Sequence, residues 1–320
     1  MSADDPLLLA LAMRLWEQRG QLLTWEHLGA DTRGHDVTVS ALSRLLEIGF
    51  DVRLSPSGVR LVPAADTPCS HELLDELGIP SVCSPVVEST NSIGVMLVKA
   101  GAAHGTVVLA EAQVCGRGRH GKSWFSPAGQ GLWLSMLLCP TSELPSPGLV
   151  SLLVGLCVAR VLRRRGADVV LKWANDVMWH GRKICGILVD RVARGNDEAY
   201  VAGIGINVHQ SEEAFPPDIR AKSVSLDMVV PQEVDRADLV LRVAREILAV
   251  WAAAEPEGLR MVPDQWNAES GTVGMPVRVG AGSELFSGTV AGVTGKGELQ
   301  VLRADDTLRT VASGHIELMV

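Results

Sequence analysis

Nine consecutive residues, Gly116-Arg117-Gly118-Arg119-His120-Gly121-Lys122-Ser123-Trp124, hold three glycines and four side chains that are or can be cationic. Glycine lets backbone amides turn toward an anion, and arginine and lysine supply the opposing charge. The chemistry on offer is the binding of phosphate. The chain around this stretch is acidic, with a formal charge of −8 over 320 residues, so the cluster is a local feature. Gly116-x-Gly118-x-x-Gly121 fits a dinucleotide fingerprint, and Gly116-x-x-x-x-Gly121-Lys122-Ser123 fits a P-loop, with Ile187-Leu188-Val189-Asp190 available as its apolar run and aspartate. Both motifs require a helix to begin at the loop. Thr106 to Val114 reads as a strand before it, but Pro127, Gly129 and Gly131 after it disfavour a helix. Leu132 to Leu138 then reads as a second strand. The loop is expected to join strand to strand, which leaves a phosphate loop of another kind or a solvated basic hairpin.

Other residues could take part in chemistry. Ser89-Thr90-Asn91 precede a helix expected from Ser92 to Ala103, and alone they are an N-cap signal. Lys172 and Lys183 stand at the margins of apolar strands with Asn175-Asp176 between them. An ammonium there is costly to bury without a partner. Gly203-Ile204-Gly205-Ile206-Asn207 lies inside a strand expected over Tyr200 to Val208, where glycine suggests close approach by a ligand or another backbone. Arg163-Arg164-Arg165 close a long apolar helix that starts at Ser146-Pro147, and cations in a last turn suit the helix dipole. The six cysteines show no close pairs, against a zinc site or a disulfide framework. Asp4 and Asp5 precede the short apolar run Leu7 to Met13, unlike a signal peptide, and no apolar run reaches membrane-span length. Reduced thiols and a cytoplasmic location are expected.

The elements that must position these residues fall into three groups. Helical spacing covers Pro6 to Gly20 with Leu7, Leu8, Leu11 and Leu15 on one face, and a short helix is expected after Thr24 through Trp25 and Leu28. A third helix, Val37 to Ile48, has Val39, Leu42, Leu45, Leu46 and Ile48 as apolar positions. A hairpin follows, Phe50 to Leu54 and Val59 to Val62 around Ser55-Pro56-Ser57-Gly58. Three helices and a hairpin make a winged helix-turn-helix, a DNA-binding shape. Residues 1–66 carry six arginines, no lysine and nine acidic residues, which runs against phosphate affinity. DNA binding and a structural or regulatory appendage both stay open. Val62 to Pro68 reads as a linker, Glu72 to Leu77 as a short helix capped by Ser70, and Pro85 to Glu88 as a strand. Strands Asp168 to Trp173, Val177 to Trp179 and Lys183 to Asp190, then helices Pro231 to Ala254 and Gly258 to Asn267, complete a central unit. From Gly271 the pattern changes to short strands with turns at Gly280-Ala281-Gly282 and Gly295-Lys296-Gly297, a small β-barrel. The expected domains are 1–66, 67–270 and 271–320.

Ser89-Thr90-Asn91, the Gly116 to Trp124 loop, Lys172-Trp173-Ala174-Asn175-Asp176, Arg182 to Val189 and Gly203 to Asn207 resemble, in order and spacing, the motif series of biotin protein ligases. With the N-terminal unit, the chain is similar to the bifunctional bacterial type that is both ligase and biotin-operon repressor. The resemblance implies an α+β fold: a winged helix-turn-helix, a central mixed-sheet domain like a class II synthetase, and a C-terminal SH3-like barrel. It implies a reaction in which biotin and ATP give biotinyl-5′-adenylate and pyrophosphate, and the adenylate then acylates a lysine of the biotin carboxyl carrier domain of acetyl-CoA carboxylase. Mg²⁺ is implied on the pyrophosphate side. Operator DNA and a ligand-promoted homodimer are implied partners, with no membrane.

By the same resemblance, Lys183 and Arg119 are the catalytic residues. Biotin is implied at Ser89, Thr90, Asn91, Gln113, Gly116, Arg117, Gly118, Arg119, Trp124, Lys183, Gly186 and Gly205, with Trp124 covering it. The nucleotide is implied at Arg119, Lys122, Lys172, Asn175, Asp176, Lys183 and Asn207. The chain departs from the family pattern at Ala174, where proline is usual, and at His120 and Lys122, where arginine is common. A lipoate ligase shares the central fold, and a biotin-sensing repressor without ligase activity is the alternative from another class.

Overall fold

The computed structural model describes residues 6–28, 35–68, 78–141, 144, 146–257, 259–281 and 284–319. The helix expected over Glu72 to Leu77 lies outside them.

Helix α1 (Pro6–Glu17) buries Leu8, Ala12, Leu15 and Trp16 against Leu42 and Leu45 of α2 (His35–Glu47). Leu46, expected among the inward positions, is exposed. Ala41, Leu42 and Leu45 are buried and centre the inner stripe near Leu45, so Leu46, about 100° further round the helix, falls off it. Strands β1 (Leu23–Thr24), β2 (Asp51–Ser55) and β3 (Gly58–Val62) form an antiparallel sheet ordered β1-β3-β2. The helix expected through Trp25 and Leu28 is replaced by turns. Leu23 and Thr24 are committed to pairing with Val59 and Gly58.

The central sheet has seven strands ordered β4-β5-β6-β10-β9-β8-β7: β4 (Ser81–Val87), β5 (Val107–Gln113), β6 (Gly131–Leu138), β7 (Val170–Lys172), β8 (Asp176–Trp179), β9 (Arg182–Arg194) and β10 (Asp197–Asn207). Only the β4–β5 pair is parallel. Strand β4 begins earlier than expected and runs through Pro85; it is the sheet's edge, where a missing amide is tolerated. Helix α3 (Thr90–Lys99) makes the crossover from β4 to β5. It ends four residues short of the expected Ala103, because Gly101 turns left-handed at φ 84° and its amide bonds Val98 O.

Period-two alternation sorts the sheet's two faces. Val108, Leu137, Val192, Ala199 and Val201 pack under Val98 of α3. Leu109, Leu134, Met136, Tyr200, Ala202, Ile204 and Ile206 face the other way into the main core. That core is closed by α4 (Pro147–Arg164), α6 (Arg236–Ala254) and α7 (Val262–Glu269), with the one-turn α5 (Pro217–Arg220) between β10 and α6. The Ser146 hydroxyl accepts from Gly148 N at the start of α4. Asp235 caps α6, so that helix begins at Arg236 rather than at Pro231. Strands β11 (Pro276–Ala281), β12 (Glu284–Val293), β13 (Leu299–Leu302), β14 (Leu308–Val311) and β15 (His315–Leu318) form an antiparallel sheet ordered β14-β13-β12-β11-β15. It docks through Asn267, which binds Val293 N at 2.7 Å, and through Trp173 Nε1, which donates to Gly297 O at 2.9 Å.

One buried ionic cluster pins the linker to the central unit. Arg236, with no exposed side chain, binds Glu111 of β5 at 3.0 Å and Asp66 of the linker at 3.0 Å. His209, just past β10, bonds Asp66 and Asp227, each at 2.8 Å. Burial raises the Asp66 carboxyl, but hydrogen bonds from His209 and Arg236 outweigh it and hold the group well below the usual carboxylate range. Burial lowers the His209 imidazole, and the bonds to Asp66 and Asp227 reverse this, so its pKa is raised. A raised histidine contributes stability that is complete below its ordinary value, 6.5, and is lost as pH climbs through the folded-state value. Asp66 stays ionised throughout that window, its own contribution being lost only in strong acid. We therefore expect wild-type unfolding temperature to fall as pH rises above about 6.5, and His209→Gln to lack that decline. Thermal melts across this range, corrected with a mutant lacking an exposed histidine such as His180→Gln, check it.

Candidate active site

The α3 face of the sheet carries an unusual set of residues where the helix ends. Across β6, β10 and β9 the paired positions are Trp133, Gly205 and Gly186, then Ser135, Gly203 and Leu188, then Leu137, Val201 and Asp190. The glycines leave a floor without side chains. A Cβ at Gly203 would lie 2.0 Å from Asn91 Oδ1, and one at Gly205 would lie 2.3 Å from Trp124 Nε1. Close approach, expected from glycine within a strand, is here made by Asn91 and Trp124.

The start of α3 forms one wall. Ser89 takes the N-cap position, but its side chain makes no capping bond. Thr90 N instead donates to Gln113 Oε1 at 2.9 Å. Gln113 Nε2 donates to Ser126 Oγ, and Ser135 Oγ donates to Asn91 Oδ1 at 2.6 Å. The Ser-Thr-Asn run is thus part of a polar wall as well as a helix start.

The other end holds the lysines. Lys183 Nζ is 2.6 Å from Asp176 Oδ1, and Lys172 Nζ is 3.9 Å from Asp176 Oδ2. Burial pushes the Lys172 ammonium below its usual range, with Asp176 opposing. One carboxylate therefore lies between two cations, the partner that the sequence demanded. Asn175 Nδ2 donates to Ile187 O, and its Oδ1 accepts from Arg119 Nη1 at 3.2 Å. The Trp173–Ala174 peptide before it is cis.

The Gly116 to Trp124 stretch joins β5 to β6, strand to strand as expected, with one 3₁₀ turn at Arg119–Gly121. It is a tight hairpin: Trp124 N donates to Gly116 O at 2.8 Å, and Gly118 N to Lys122 O at 2.7 Å. A Cβ at Gly116 would meet Trp124 O at 2.4 Å, so glycine is needed at that crossing. His120 sits at φ 57° in the left-handed region. The hairpin lays the Trp124 indole over Gly205 and Gly186, 6.5 Å from the Trp133 ring and 5.0 Å from Lys183 Nζ. Trp124 Nε1 is buried and has no hydrogen-bond partner among the described residues. The space beside the indole is about 50 Å³, room for a few waters.

Of the sequence-derived candidates, Ser89, Thr90, Asn91, Gln113, Arg117, Gly118, Arg119, Trp124, Asn175, Lys183, Gly186 and Gly205 line this pocket. Asp176 and Lys172 adjoin it through Lys183. Gly116 shapes the hairpin, and Lys122 is exposed on it. Asn207 is buried behind the pocket and donates to Lys183 O and Val224 O, so it braces the lysine's backbone. Sequence reasoning passed over Ser126 and Ser135. A lone serine inside Leu132 to Leu138 was the available signal, since a buried hydroxyl requires a partner.

Comparisons with known proteins give the family. A family model described as "Biotin/lipoate A/B protein ligase family" matches residues 83–207. The bifunctional ligase/repressor BirA of Escherichia coli (strain K12) is 32% identical over 289 residues, covering 87% of this chain and 86% of the relative. The biotin--[acetyl-CoA-carboxylase] ligase of Mycobacterium tuberculosis is 33% identical over 180 residues, covering 55% of this chain and 64% of the relative. The solved biotin protein ligase from Aquifex aeolicus, in complex with biotin and ATP, superposes with a TM-score of 0.64 at 27% identity, covering 75% of this chain and 98% of that one. The chain belongs to the biotin protein ligases within the biotin/lipoate A/B protein ligase family.

Gly203→Ala should drive a methyl into Asn91 and cost about 1–3 kcal/mol of stability, the range for overpacking. Denaturant unfolding measures the loss, and an unchanged midpoint would show that Asn91 is free to move aside.

Proposed function

We propose that this chain is an ATP-dependent ligase that adenylates biotin and transfers it to one lysine of the biotin carboxyl carrier domain of acetyl-CoA carboxylase. The observation that carries this reading is the Lys183–Asp176 pair at the end of a glycine-floored pocket covered by a cationic hairpin. In the first step a biotin carboxylate oxygen attacks the α-phosphorus of ATP, and pyrophosphate leaves. Two anions must be brought together, so fixed cations at their meeting point lower the barrier. Lys183 is placed for that meeting point, with Arg119 and Arg117 above it and Lys172 on the side where the remaining phosphates would lie. Mg²⁺ would arrive on phosphate oxygens with few protein ligands and would neutralise charge on the pyrophosphate; Asp176, the carboxylate between the lysines, is the group that would share it. In the second step the carrier's amine attacks the acyl carbon, and AMP leaves with the bonding pair.

The ureido and thiophane rings of biotin belong on the glycine floor, beside Ser89, Thr90 and Gln113. Trp124 rests there, so an entering ligand must lift the indole, which then becomes the cover. The unpartnered Nε1 favours this exchange, because a buried unsatisfied donor costs about 1–3 kcal/mol. With the hairpin down, water is kept from the mixed anhydride.

The domain reading is 1–66 as a winged helix-turn-helix, 67–270 as the catalytic unit and 271–320 as an SH3-like barrel. A second role in operator binding is favoured by α2 standing before the β2–β3 hairpin, the arrangement of a recognition helix and wing. Lys183→Ala should slow adenylate formation by about 10²–10³-fold with the fold intact, read as pyrophosphate release; wild-type release would refute the role given to Lys183. If the N-terminal unit binds its operator, affinity should fall steeply with salt. A gel shift with the chain's own biotin-operator region, with and without adenylate, tests this, and no shift in either state would assign the unit to a structural role.

A further inference from the structure

One acidic side chain beside the hairpin has no part in the reaction as described. Asp190, the aspartate at the end of the Ile187 to Val189 run, stands on β9 opposite Val201 of β10. Its Oδ2 accepts from Asn91 Nδ2 at 2.9 Å and lies 3.7 Å from Arg117 Nη2. Asn91 is itself immobilised. Its Nδ2 also donates to Leu188 O at 3.1 Å, its Oδ1 accepts from Ser135 Oγ at 2.6 Å, and the residue is 3% exposed. The carboxylate therefore ties three things together: the sheet, the start of α3 and the first arginine of the hairpin.

We propose that Asp190 is a positioning residue that latches the hairpin over the pocket by binding Arg117, with Asn91 keeping the carboxylate turned toward it. The proposal rests on the ligase reading above. Because Asn91 already fixes the carboxylate, Arg117 is the only partner of the pair that loses freedom when the contact forms. An ion pair with one partner half-exposed adds little to folding, but the hairpin's open and closed arrangements are a separate equilibrium. There a fivefold change in the ratio of closed to open forms corresponds to about 1 kcal/mol. The consequence falls on the mixed anhydride, which survives only while water is excluded: the longer the hairpin stays down, the longer the adenylate is retained.

Asp190→Asn separates this role from simple support of the fold. It keeps an oxygen to accept from Asn91 and removes the charge that Arg117 needs. The enzyme is loaded with labelled biotin and ATP without carrier, and retained biotinyl-adenylate is followed by rapid gel filtration in wild type, Asp190→Asn, Arg117→Gln, the double variant and Asp190→Glu. Asp190→Asn should lose the adenylate about fivefold faster at an unchanged unfolding midpoint, and Asp190→Glu should recover most of the retention. The double variant should lose it no faster than Arg117→Gln alone, as for two residues acting through one contact. Unchanged retention in Asp190→Asn, or effects that multiply in the double variant, would overturn the proposal. A wild-type protein that forms no adenylate would instead sink the ligase reading, so the two failures are distinct.

Discussion

The site is organised around one ion pair at the margin of an apolar sheet. Lys183 Nζ lies 2.6 Å from Asp176 Oδ1, and the local backbone is built around the pair. The β8–β9 register shifts between Val177 and Met178, so that Cys185 pairs with Val177 but Lys183 pairs with Met178. The residue skipped, Ile184, is fully buried. Without that bulge, Lys183 would share the face of Cys185 and point into the core; with it, the lysine turns toward the pocket. Bonds from Lys183 N to Lys222 O, from Val224 N to Lys183 O and from Asn207 Nδ2 to Lys183 O then clamp its backbone. On the proposed mechanism, a cation so held would not have to reorganise when two anions meet beside it, which is what electrostatic catalysis requires.

Much of this was legible in the residues. Pro127, Gly129 and Gly131 ruled out a helix after the basic loop, and the loop does join two strands. The lysines flanking Asn175-Asp176 announced a buried charge needing a partner. The glycines of Gly203 to Asn207 announced a close approach, though not that Asn91 and Trp124 would make it. What escaped the sequence is long-range. Asp66, Glu111, His209 and Arg236 are scattered over the chain and meet only because the linker, β5, the end of β10 and the start of α6 converge. Asp190 stood out in the sequence only as the aspartate closing an apolar run; its place beside the hairpin comes from the β9–β10 register that sets it opposite Val201 and beneath Asn91. Boundaries moved where caps decided them, as Asp235 did for α6 and Gly101 for α3.

The N-terminal unit abuts the segment just past the hairpin. Ala128 N donates to Ile48 O at 2.8 Å, and Gly49 packs on the Ala128 backbone, where a Cβ would be 3.2 Å away. Two residues earlier, Ser126 accepts from Gln113 Nε2 and donates to Trp124 O. The end of α2 and the pocket wall thus share a short, hydrogen-bonded stretch of chain. Trp133 Nε1 stiffens it further by donating to Pro127 O at 3.1 Å.

The bare floor also sets a rule for selectivity. Glycine is already the smallest residue at 186, 203 and 205, so no substitution there can deepen the recess; every change makes it shallower. On the ligase reading, a variant that admits a bulkier acid would therefore have to be trimmed from above, at Trp124 or its neighbours in the hairpin. On that reading the same groups also exclude solvent, so broader acceptance of unnatural acids and tight custody of the activated product would be set against each other by the architecture itself.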